Sequence, residues 1–582
     1  MTWLVWKKRN KISKYATALK PSDWYVPSVF FVTGLLLPMV ITVAHCTTNY
    51  PTASVCMNTS LPESLYTAEQ VRQLDHAAIH QAGIAGFELM SRAASAVMQA
   101  LSRHWPKAKT VLVLCGAGNN GGDGYLVARL AKEHELQVSV LSCCDPARLT
   151  GDARTAWQAC LDAGVVVRPY DVRQSLAADV VVDAMLGTGL TGAVRGDCAD
   201  AIRRLNHLRT AVCAVDIPSG LCADTGVALG EAVRATLTVS FIGLKTGLLT
   251  GQGPEYCGQL LFDDLGVPSS VCESLPGHCR RIAPGQFRGW LARRSRVAHK
   301  GNFGHLLLIG GNEGMPGAIL LAAESALHCG AGLVTVATRK HHLTALAVRC
   351  PEVMGVAVKT ASGLGSLADG KSAIVIGPGL GRDDWGLKLL QDALAAPCPV
   401  VLDADALNLL SHHPQLLNTR KSPMIFTPHP GELARLTGQS IAAIERDRPA
   451  ALLSGHRQLM VDAIGHHPGI VTEKEYDTGD RKYECNVVLL LKGAGTLIYD
   501  GHKIALCSEG NPGMAVAGMG DVLSGVTGAL LAQGLTPFRA ARMAAWLHAS
   551  AADELAASQG ETGLRASELI PAIRQRLNCV VG

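Results

Sequence analysis

The chain has 582 residues, of which 48% are hydrophobic and 17% are charged, and its formal net charge is +5 at pH 7. This length is too great for one hydrophobic core and predicts two large domains, while the composition excludes general disorder. Lysine and arginine are scattered along the chain instead of forming a basic stripe, so we expect no nucleic-acid partner.

The first 56 residues differ from the rest of the chain. Basic residues between positions 7 and 14 precede an apolar stretch at 29–46, which Gly34 and Pro38 interrupt. This pattern fits a membrane anchor that leaves the body on the cytoplasmic side, a cleaved signal, or translated sequence upstream of a true start at Met57. We favour the third interpretation, and we expect membrane association only if the extension is real.

The next region predicts alternating helices and strands. Apolar residues three and four positions apart predict helix between residues 66 and 100. Short apolar runs predict buried strands at 111–115, 138–141, 180–184, 211–217 and 237–242, with helical segments at 125–134 and 153–163. This alternation predicts a parallel sheet with helices on both faces, in which ligands bind beyond the carboxyl ends of the strands.

Three polar motifs follow these strands. Residues 116–124 read G-A-G-N-N-G-G-D-G, a loop that can hold phosphate but whose asparagines and aspartate can also bind a polar ring or an ion. Asp183 and the turn at 216–220, D-I-P-S-G, add two carboxylates and a hydroxyl at the same edge. These oxygen ligands suit a hard cation, and the lack of a His/Cys cluster argues against zinc. Each motif alone is more often a turn or a helix cap.

A turn-rich segment at 273–286 predicts a linker between an N-terminal domain at 57–272 and a C-terminal domain at 287–582. A second alternating series predicts strands at 306–309, 333–337, 373–376, 400–402, 424–426 and 487–491. We therefore expect two α/β domains, each with its own site. The charged, aperiodic segment at 473–485 predicts a loop or hairpin.

Polar residues again follow the strands of the second series. The motifs are G-P-G-L-G at 377–381, D-A-D-A-L-N at 403–408, T-P-H-P-G-E at 427–432 and K-G-A-G-T at 492–496. A lysine beside two glycines can meet a nucleotide phosphate as a point charge. Taken alone, Lys492 would more often be a solvated lysine in a surface turn, and His429 a structural histidine.

Residues 510–525 read G-N-P-G-M-A-V-A-G-M-G-D-V-L-S-G and lead into a predicted helix at 522–531. Backbone N–H groups of residues 518–521 would point out of the helix N-terminus, where an anion is favoured. Asp521 would then act as a base that takes a proton from an attacking hydroxyl. The alternative is a glycine-rich turn with Asp521 as the N-cap.

The chain has 18 cysteines. They stand singly in apolar runs or, at Cys143 and Cys144, side by side, and no C-x-x-C motif pairs with another at zinc-finger spacing. This usage predicts buried, reduced thiols in a cytoplasmic protein.

The three motifs of the first half resemble the NAD(P)H-hydrate epimerase domain over about residues 66–266. The resemblance implies a Rossmann-like three-layer sandwich that interconverts the two epimers of hydrated NADH and NADPH. It places the hydrate on Asn119, Asn120, Gly121, Gly122, Asp123, Gly187, Thr188, Gly189, Leu190, Thr191, Gly192, Ala193 and Asp216, and potassium on Asn120, Asp183 and Ser219. Asp123 and Asp216 are the candidates for proton transfer. A non-catalytic interaction domain, as in RNA-decapping scaffolds, is the alternative.

The motif series of the second half resembles the ADP- or ATP-dependent NAD(P)H-hydrate dehydratase, a ribokinase-like α/β domain, over about residues 295–576. The resemblance places the hydrate near Ala318, Gly379, His429 and Asp521, and the adenine nucleotide on Lys492, Gly493, Ala494, Gly495, Thr496 and Gly520. We expect magnesium with the nucleotide, because the charge of the terminal phosphoryl group must be neutralised during transfer. Asp403, Asp405 and Glu432 are candidates for indirect metal contacts.

Together the resemblances imply one enzyme that epimerises the R and S hydrates and dehydrates the S form at the expense of ADP or ATP, through a phosphorylated intermediate. Asp521 would activate the ring hydroxyl in that step. The alternative is a ribokinase-like kinase of a vitamin precursor or sugar, fused to a non-catalytic binding domain. We expect small-molecule partners only and a homo-oligomer. The nucleotide stays open, although the resemblance to bacterial fused proteins favours ADP.

Overall fold

The computed structural model describes residues 61–359, 363–418, 420, 422–464 and 487–581. The extension before Met57 and the predicted loop at 473–485 lie outside the described residues. Among the helices that are described, none is both long and apolar enough to cross a membrane.

Strands alternate with helices along most of the described chain. The strands are β1 (Ser64–Tyr66), β2 (Thr110–Cys115), β3 (Gln137–Ser142), β4 (Val166–Pro169), β5 (Val180–Ala184), β6 (Ala211–Val215), β7 (Leu237–Phe241), β8 (Leu244–Lys245), β9 (Gln259–Asp263), β10 (Cys279–Arg281), β11 (His305–Ile309), β12 (Leu333–Thr338), β13 (Met354–Ala357), β14 (Ala373–Ile376), β15 (Val400–Leu402), β16 (Met424–Phe426), β17 (Val487–Leu491), β18 (Thr496–Tyr499) and β19 (Ile504–Cys507). The helices span Ala68–His80, Gly86–His104, Asn119–Glu133, Gly151–Asp162, Gly196–His207, Gly253–Cys257, Ser269–Glu273, Pro316–His328, Leu343–Arg349, Asp384–Ala395, Ala404–His412, Pro430–Thr437, Ile441–Arg446, Arg448–Ile464, Met519–Ala532, Pro537–Gln559 and Ala566–Val580.

The first sheet is parallel throughout and has the strand order β4-β3-β2-β5-β6-β7-β9. Its five inner strands are those that the apolar runs predict, so the α/β class is confirmed. The two edge strands, β4 and β9, were not predicted. Edge strands are covered less completely, and the apolar runs in β4 and β9 are only two and three residues long, so they give a weak signal.

Two predicted helices have different bounds in the structure. The helical pattern at 66–100 is divided into two helices by a turn at 81–85. The helix expected to begin at residue 125 begins at Asn119, so the glycine motif forms its first turn. Glycine disfavours a helix, but the packing here requires it: a Cβ on Gly124 would lie 2.5 Å from the Cβ of Ala184 in the sheet.

The second sheet has twelve strands in the order β13-β12-β11-β14-β15-β16-β17-β18-β19-β10-β1-β8. The strands from β13 to β17 are parallel, and β17, β18 and β19 form antiparallel pairs. The last three strands, β10, β1 and β8, come from the region before residue 287 and extend the sheet beyond β19. One of them, β10, lies inside the segment predicted to be a linker.

The helix Met519–Ala532 is almost completely buried between the second sheet and the helix Pro316–His328. Gly525 and Gly528 allow this approach, because a Cβ on either residue would overlap atoms of Ala322 or Val375. The N-terminus of the helix is thereby held at the carboxyl edge of the parallel strands.

A buried arginine joins the two regions at β10. The guanidinium of Arg281 donates to the carbonyl of Leu61 at 2.7 Å, and its Nη1 lies 3.7 Å from Oε1 of Glu509. Burial raises the pKa of Glu509, and the positive charge of Arg281 opposes that rise. The two groups therefore depend on each other for charge compensation.

We expect Arg281→Met to lower the urea midpoint by an amount equivalent to about 3 kcal/mol, because it leaves Glu509 buried without a cation. The neighbouring Arg280 supplies the control, since its ion pair with Glu63 is largely exposed. Arg280→Met should cost less than about 1 kcal/mol. Equal midpoints for the two variants would contradict the assignment.

Candidate active sites

The three residues predicted to hold a cation meet at the carboxyl edge of the first sheet. Asp183, at the end of β5, accepts hydrogen bonds from the hydroxyl of Ser219 at 2.6 Å and from its backbone N–H at 2.8 Å. Asn120 lies in the first turn of the helix Asn119–Glu133, and a Cβ on Gly187 would be 3.2 Å from the Cβ of Asn120. The loops after β2, β5 and β6 are therefore adjacent.

The polar atoms of this group are mostly oxygens, and not all of them have partners in the part of the chain that the structure describes. Neither polar atom of the buried Asn120 amide has a hydrogen-bond partner among the described residues. Burial raises the pKa of Asp183 to about 6, although the hydrogen bonds from Ser219 favour its charged form. An unpartnered amide oxygen and a buried carboxylate suit a hard cation. In the described chain, no cluster of three His, Cys, Asp or Glu side chains could hold a metal.

Asp216, predicted to transfer protons, is paired with a lysine that sequence reasoning missed. The ammonium of Lys245 forms an ion pair with Oδ1 of Asp216 and also donates to Ser240 Oγ and the carbonyl of Phe241, both at 3.2 Å. Lys245 is 0% exposed. Asp216 has a backbone φ of +66°, so the turn after β6 holds its backbone in a strained conformation.

Two further carboxylates share the same ammonium. Burial, followed by the charges of Asp216 and Asp75, raises the pKa of Asp123 well above its usual value, and Lys245 opposes the rise. Burial likewise raises the pKa of Asp75 to about 6. Burial and two negative neighbours therefore favour the neutral form of Asp123.

Asp75 and Lys245 were absent from the sequence-predicted site. Asp75 lies in the helix Ala68–His80, in which no local motif marks it. Lys245 carried a usable signal, because it is the one charged residue in the run F-I-G-L-K-T-G-L-L at 241–249. A charge within an apolar run requires a partner, and here the partner is Asp216.

The remaining residues predicted to contact the hydrate line the same edge. Gly121 and Gly122 are buried in the first helical turn, whereas Asn119 is exposed. The loop after β5 contains Gly187, Thr188, Gly189, Leu190, Thr191, Gly192 and Ala193, which range from half-buried to exposed. Of this loop, Gly187 lies directly beside Asn120.

In the second sheet, β14, β15, β16 and β17 are consecutive neighbours, so the motifs that follow them converge. Nζ of Lys492 lies 2.8 Å from Oδ1 of Asp403 and 3.5 Å from Oε2 of Glu432. Asp403 and Glu432, which were candidates for indirect metal contacts, are thus both engaged by this lysine.

Asp403 is 1% exposed and has a partner on each carboxylate oxygen. Oδ1 also accepts a hydrogen bond from Thr427 Oγ1 at 2.9 Å, and Oδ2 accepts one from Ser524 Oγ at 2.7 Å. Ser524, which sequence reasoning missed, belongs to the helix Met519–Ala532. The buried carboxylate therefore links the ends of β16 and β17, through Thr427 and Lys492, to the helix that contains Ser524.

The helix Met519–Ala532 presents its N-terminus to Lys492. A Cβ on Gly520 would lie 3.4 Å from Nζ of Lys492. The N-cap is Gly518, with φ of +92°, and Asp521 stands in the first turn. The alternative in which Asp521 caps the helix is wrong, since a left-handed glycine occupies that position. Partial positive charge and an ammonium thus face the same space.

The raised pKa of Asp521 makes its carboxylate a stronger base than an ordinary aspartate. Burial raises its pKa to about 7, the charge of Asp403 adds to the rise, and Lys492 opposes it. A carboxyl group with this pKa changes protonation state near neutral pH and can accept a proton from a hydroxyl. Asp405, whose Oδ2 accepts the N–H of Gly381 at 2.9 Å, is another negative neighbour that raises the pKa.

His429 is both a helix cap and a partly open side chain. Its Nδ1 accepts the N–H of Gly431 at 3.0 Å, so a neutral ring carries its proton on Nε2. Burial lowers the pKa of His429, although Glu432 opposes the change. The side chain is 51% exposed. The structural interpretation therefore concerns Nδ1, which caps the helix, and the functional interpretation concerns Nε2.

The other residues predicted to bind the hydrate form a small-residue surface near Gly518. A Cβ on Gly379 would lie 3.2 Å from the Cβ of Ala318, and one on Gly518 would lie 2.7 Å from Cδ1 of Leu321. Gly379, Ala318 and the N-terminus that carries Asp521 therefore adjoin. Residues 492–496 run from the end of β17 to the first residue of β18, and Thr496 Oγ1 donates to the carbonyl of Gly493 at 3.0 Å.

Two family models match the chain. NAD(P)H-hydrate dehydratase matches residues 306–575, and the YjeF-related protein N-terminus matches residues 86–247. The chain is 41% identical to the bifunctional NAD(P)H-hydrate repair enzyme Nnr of Coxiella burnetii, covering 88% of this chain and 99% of that protein. It is 40% identical to the enzyme of the same name from Escherichia coli, covering 89% and 95%.

Among solved structures, an ADP/ATP-dependent NAD(P)H-hydrate dehydratase from Bacillus subtilis, co-crystallized with ATP and Mg²⁺, is 27% identical. The match covers 51% of this chain and 97% of that one, with a TM-score of 0.42.

The raised pKa of Asp521 predicts a stability effect with a definite sign. Its folded pKa of about 7 exceeds the unfolded value near 3.9, so its stabilising contribution is complete below pH 4 and is lost as the pH rises through 7. Asp521→Asn should therefore raise Tm above pH 7.5, by at least about 2 °C, and match the wild type near pH 4. The exposed Asp369 is the control: Asp369→Asn should show no pH-dependent difference in thermal melts.

Proposed function

Because the chain belongs to the family of bifunctional NAD(P)H-hydrate repair enzymes, we propose that its two halves divide one repair between them. The N-terminal half epimerises the hydrates of NADH and NADPH, and the C-terminal half dehydrates the S form to NAD(P)H. The observation that carries the second assignment is the meeting of Lys492, the helix N-terminus at Gly520 and the half-buried Asp521. Together they offer an anion site beside a base.

In the dehydration, Asp521 takes the proton from the ring hydroxyl of the hydrate. The hydroxyl oxygen then attacks the terminal phosphoryl group of ADP or ATP and releases AMP or ADP, a step that is needed because hydroxide itself is a poor leaving group. Electrons from the ring nitrogen expel the phosphate and leave an iminium, whose adjacent ring carbon loses a proton to restore the dihydronicotinamide. Lys492 and the N–H groups around Gly520 bind the phosphoryl group before and after transfer.

The nucleotide and its metal are assigned from the charges at this site. We propose that Lys492, Gly493, Ala494, Gly495, Thr496 and Gly520 bind the adenine nucleotide. Magnesium, when bound with the nucleotide, neutralises charge on the transferred phosphoryl group. The carboxylates of Asp403, Glu432 and Asp405 already accept hydrogen bonds from Lys492 or from backbone N–H groups. Contacts of these carboxylates to a hydrated magnesium ion would therefore be indirect.

The hydrate is assigned to the residues around Asp521 that the nucleotide does not use. Gly379 and Ala318 give a surface of small residues against which a flat ring can lie. The Nε2–H of neutral His429 is a donor for a polar group of the nicotinamide. These three residues and Asp521 thus supply shape, a hydrogen bond and the base.

In the epimerase half, Asp123 and Asp216 have opposite environments. Asp216 has the ammonium of Lys245 as its direct partner, whereas burial and neighbouring negative charge raise the pKa of Asp123 and favour its neutral form. Two carboxyl groups in such different states can serve as proton acceptor and proton donor. We propose that Asp123 donates and Asp216 accepts when the hydroxylated carbon changes configuration, with Asp75 as a further negative neighbour.

Potassium is the cation that we propose for Asn120, Asp183 and Ser219. The unpartnered amide of Asn120 and the buried carboxylate of Asp183 support the assignment. A bound ion supplies fixed positive charge where three loops meet, and these residues position it. We also propose a cytoplasmic location, because all fifteen described cysteines are free thiols. The homo-oligomer stays a prediction.

The decisive assay follows recovery of NADH absorbance from a mixture of R and S hydrates with ADP or ATP. We expect the wild type to restore both epimers. Asp521→Asn should lose dehydration by at least about 100-fold and retain interconversion of R and S, because it lacks the base. Asp123→Asn should slow only the rescue of the R form. A stable phosphorylated product without recovered NADH would instead favour the small-molecule kinase.

Lys245→Met should slow epimerisation by at least about tenfold, because it leaves three carboxylates without their cation. Dehydration of pure S hydrate should persist, and the R-to-S rate can be measured without nucleotide. Lys388, paired with Asp392 on an exposed helix face, supplies the control variant Lys388→Met. An unchanged R-to-S rate in Lys245→Met would rule out a role for this lysine in proton transfer.

A further inference from the structure

The turn at residues 492–496, here called the lysine loop, has an unusual backbone. Gly493 has φ of +139° and Gly495 has φ of +64°, conformations that other residues adopt only with strain. A loop with two such glycines loses much conformational freedom when it is ordered. Contacts that fix its backbone carbonyl groups therefore help to order the loop.

Part of this support comes from the C-terminal half itself. The buried guanidinium of Arg448 donates to the carbonyl of Lys492 at 3.1 Å and lies 3.4 Å from that of Leu491. The hydroxyl of Thr496 holds the carbonyl of Gly493. The carbonyls of Ala494 and Gly495 remain to be satisfied.

The N-terminal half supplies these last two contacts. Thr250 Oγ1 donates to the carbonyl of Gly495 at 3.2 Å and lies 3.5 Å from that of Ala494. The N–H of Gly251 donates to the carbonyl of Ala494 at 3.3 Å. A Cβ on Gly495 would overlap the carbonyl oxygen of Leu249, so the two backbones touch directly.

The supporting segment is itself firmly held. Thr250 is 0% exposed, and the N–H of Gly247 donates to the carbonyl of Ala223 at 2.7 Å. The segment follows β8, which pairs with β1 in the twelve-stranded sheet. The N-terminal half thus offers the lysine loop a rigid support.

We propose that Thr250 and Gly251 of the N-terminal half are positioning residues for the nucleotide site of the C-terminal half. They fix the carbonyls of Ala494 and Gly495, so the lysine loop is ordered before the nucleotide binds and less entropy is lost on binding. The proposal rests on the proposed function of this loop. It makes the dehydratase half of this chain dependent on the epimerase half for nucleotide affinity, with no contact between Thr250 and the nucleotide.

The test is Thr250→Val, which removes the hydroxyl and keeps the branched shape. With pure S hydrate as substrate, we expect KM for ADP to rise about three- to tenfold, the effect of one buried hydrogen bond. The value of kcat at saturating ADP and the R-to-S rate without nucleotide should change by less than about twofold. Thr250→Ser, which restores the hydroxyl, should return KM toward the wild-type value.

Thr238 provides the matched control, because its buried hydroxyl donates to the carbonyl of Cys257 at 2.8 Å, within the N-terminal half. Thr238→Val should leave KM for ADP unchanged. An unchanged KM in Thr250→Val, or a rise equal to that in Thr238→Val, overturns the proposal. Equilibrium binding of ADP separates the positioning hypothesis from the proposed function. If the wild type binds ADP but recovers no NADH, the proposed function is refuted. The Kd of Thr250→Val for ADP still tests the positioning role in that case.

Hydrogen exchange on the wild type gives a second measurement if Thr250→Val does not fold. ADP should slow exchange of backbone amides both in the lysine loop and in residues 246–251, because the two segments share hydrogen bonds. Protection of the lysine loop alone would overturn the proposal.

Discussion

The second site depends on one buried charge, the carboxylate of Asp403. An ionised group at 1% exposure is stable only with a cation and hydrogen-bond donors around it, and here Lys492, Thr427 and Ser524 fill those roles. These partners come from two strand ends and a helix. The need to satisfy one carboxylate therefore places the ammonium, the helix N-terminus and, one turn before Ser524, Asp521.

The epimerase site follows the same electrostatic logic with a different outcome. Asp216 forms the ion pair with Lys245. The charge of Lys245 also lowers the pKa values of Asp123 and Asp75, but burial outweighs this effect. Burial, with no cation paired directly to Asp123, raises the pKa of this residue and favours its neutral form. In both halves a lysine at the sheet edge sets which carboxyl group is paired and which one can exchange a proton.

A short segment of the N-terminal half connects these two arrangements. Lys245 pairs with Asp216 in the first site, and five residues later Thr250 holds the backbone of the lysine loop in the second. The strands β8, β1 and β10 continue the sheet of the C-terminal half, so the connection runs through paired backbone. Each site is therefore built partly on the scaffold of the other.

The sequence by itself determined the α/β class, the inner strands and the motifs at their carboxyl ends, because apolar runs and glycine turns are local signals. Tertiary structure alone decided the edge strands β4 and β9, the partners Asp75, Lys245 and Ser524, and the contact of Thr250 with the lysine loop. The pKa values of Asp521 and Asp123 were also decided by tertiary structure alone. A pKa depends on burial and on charges from distant segments, which become neighbours only after folding.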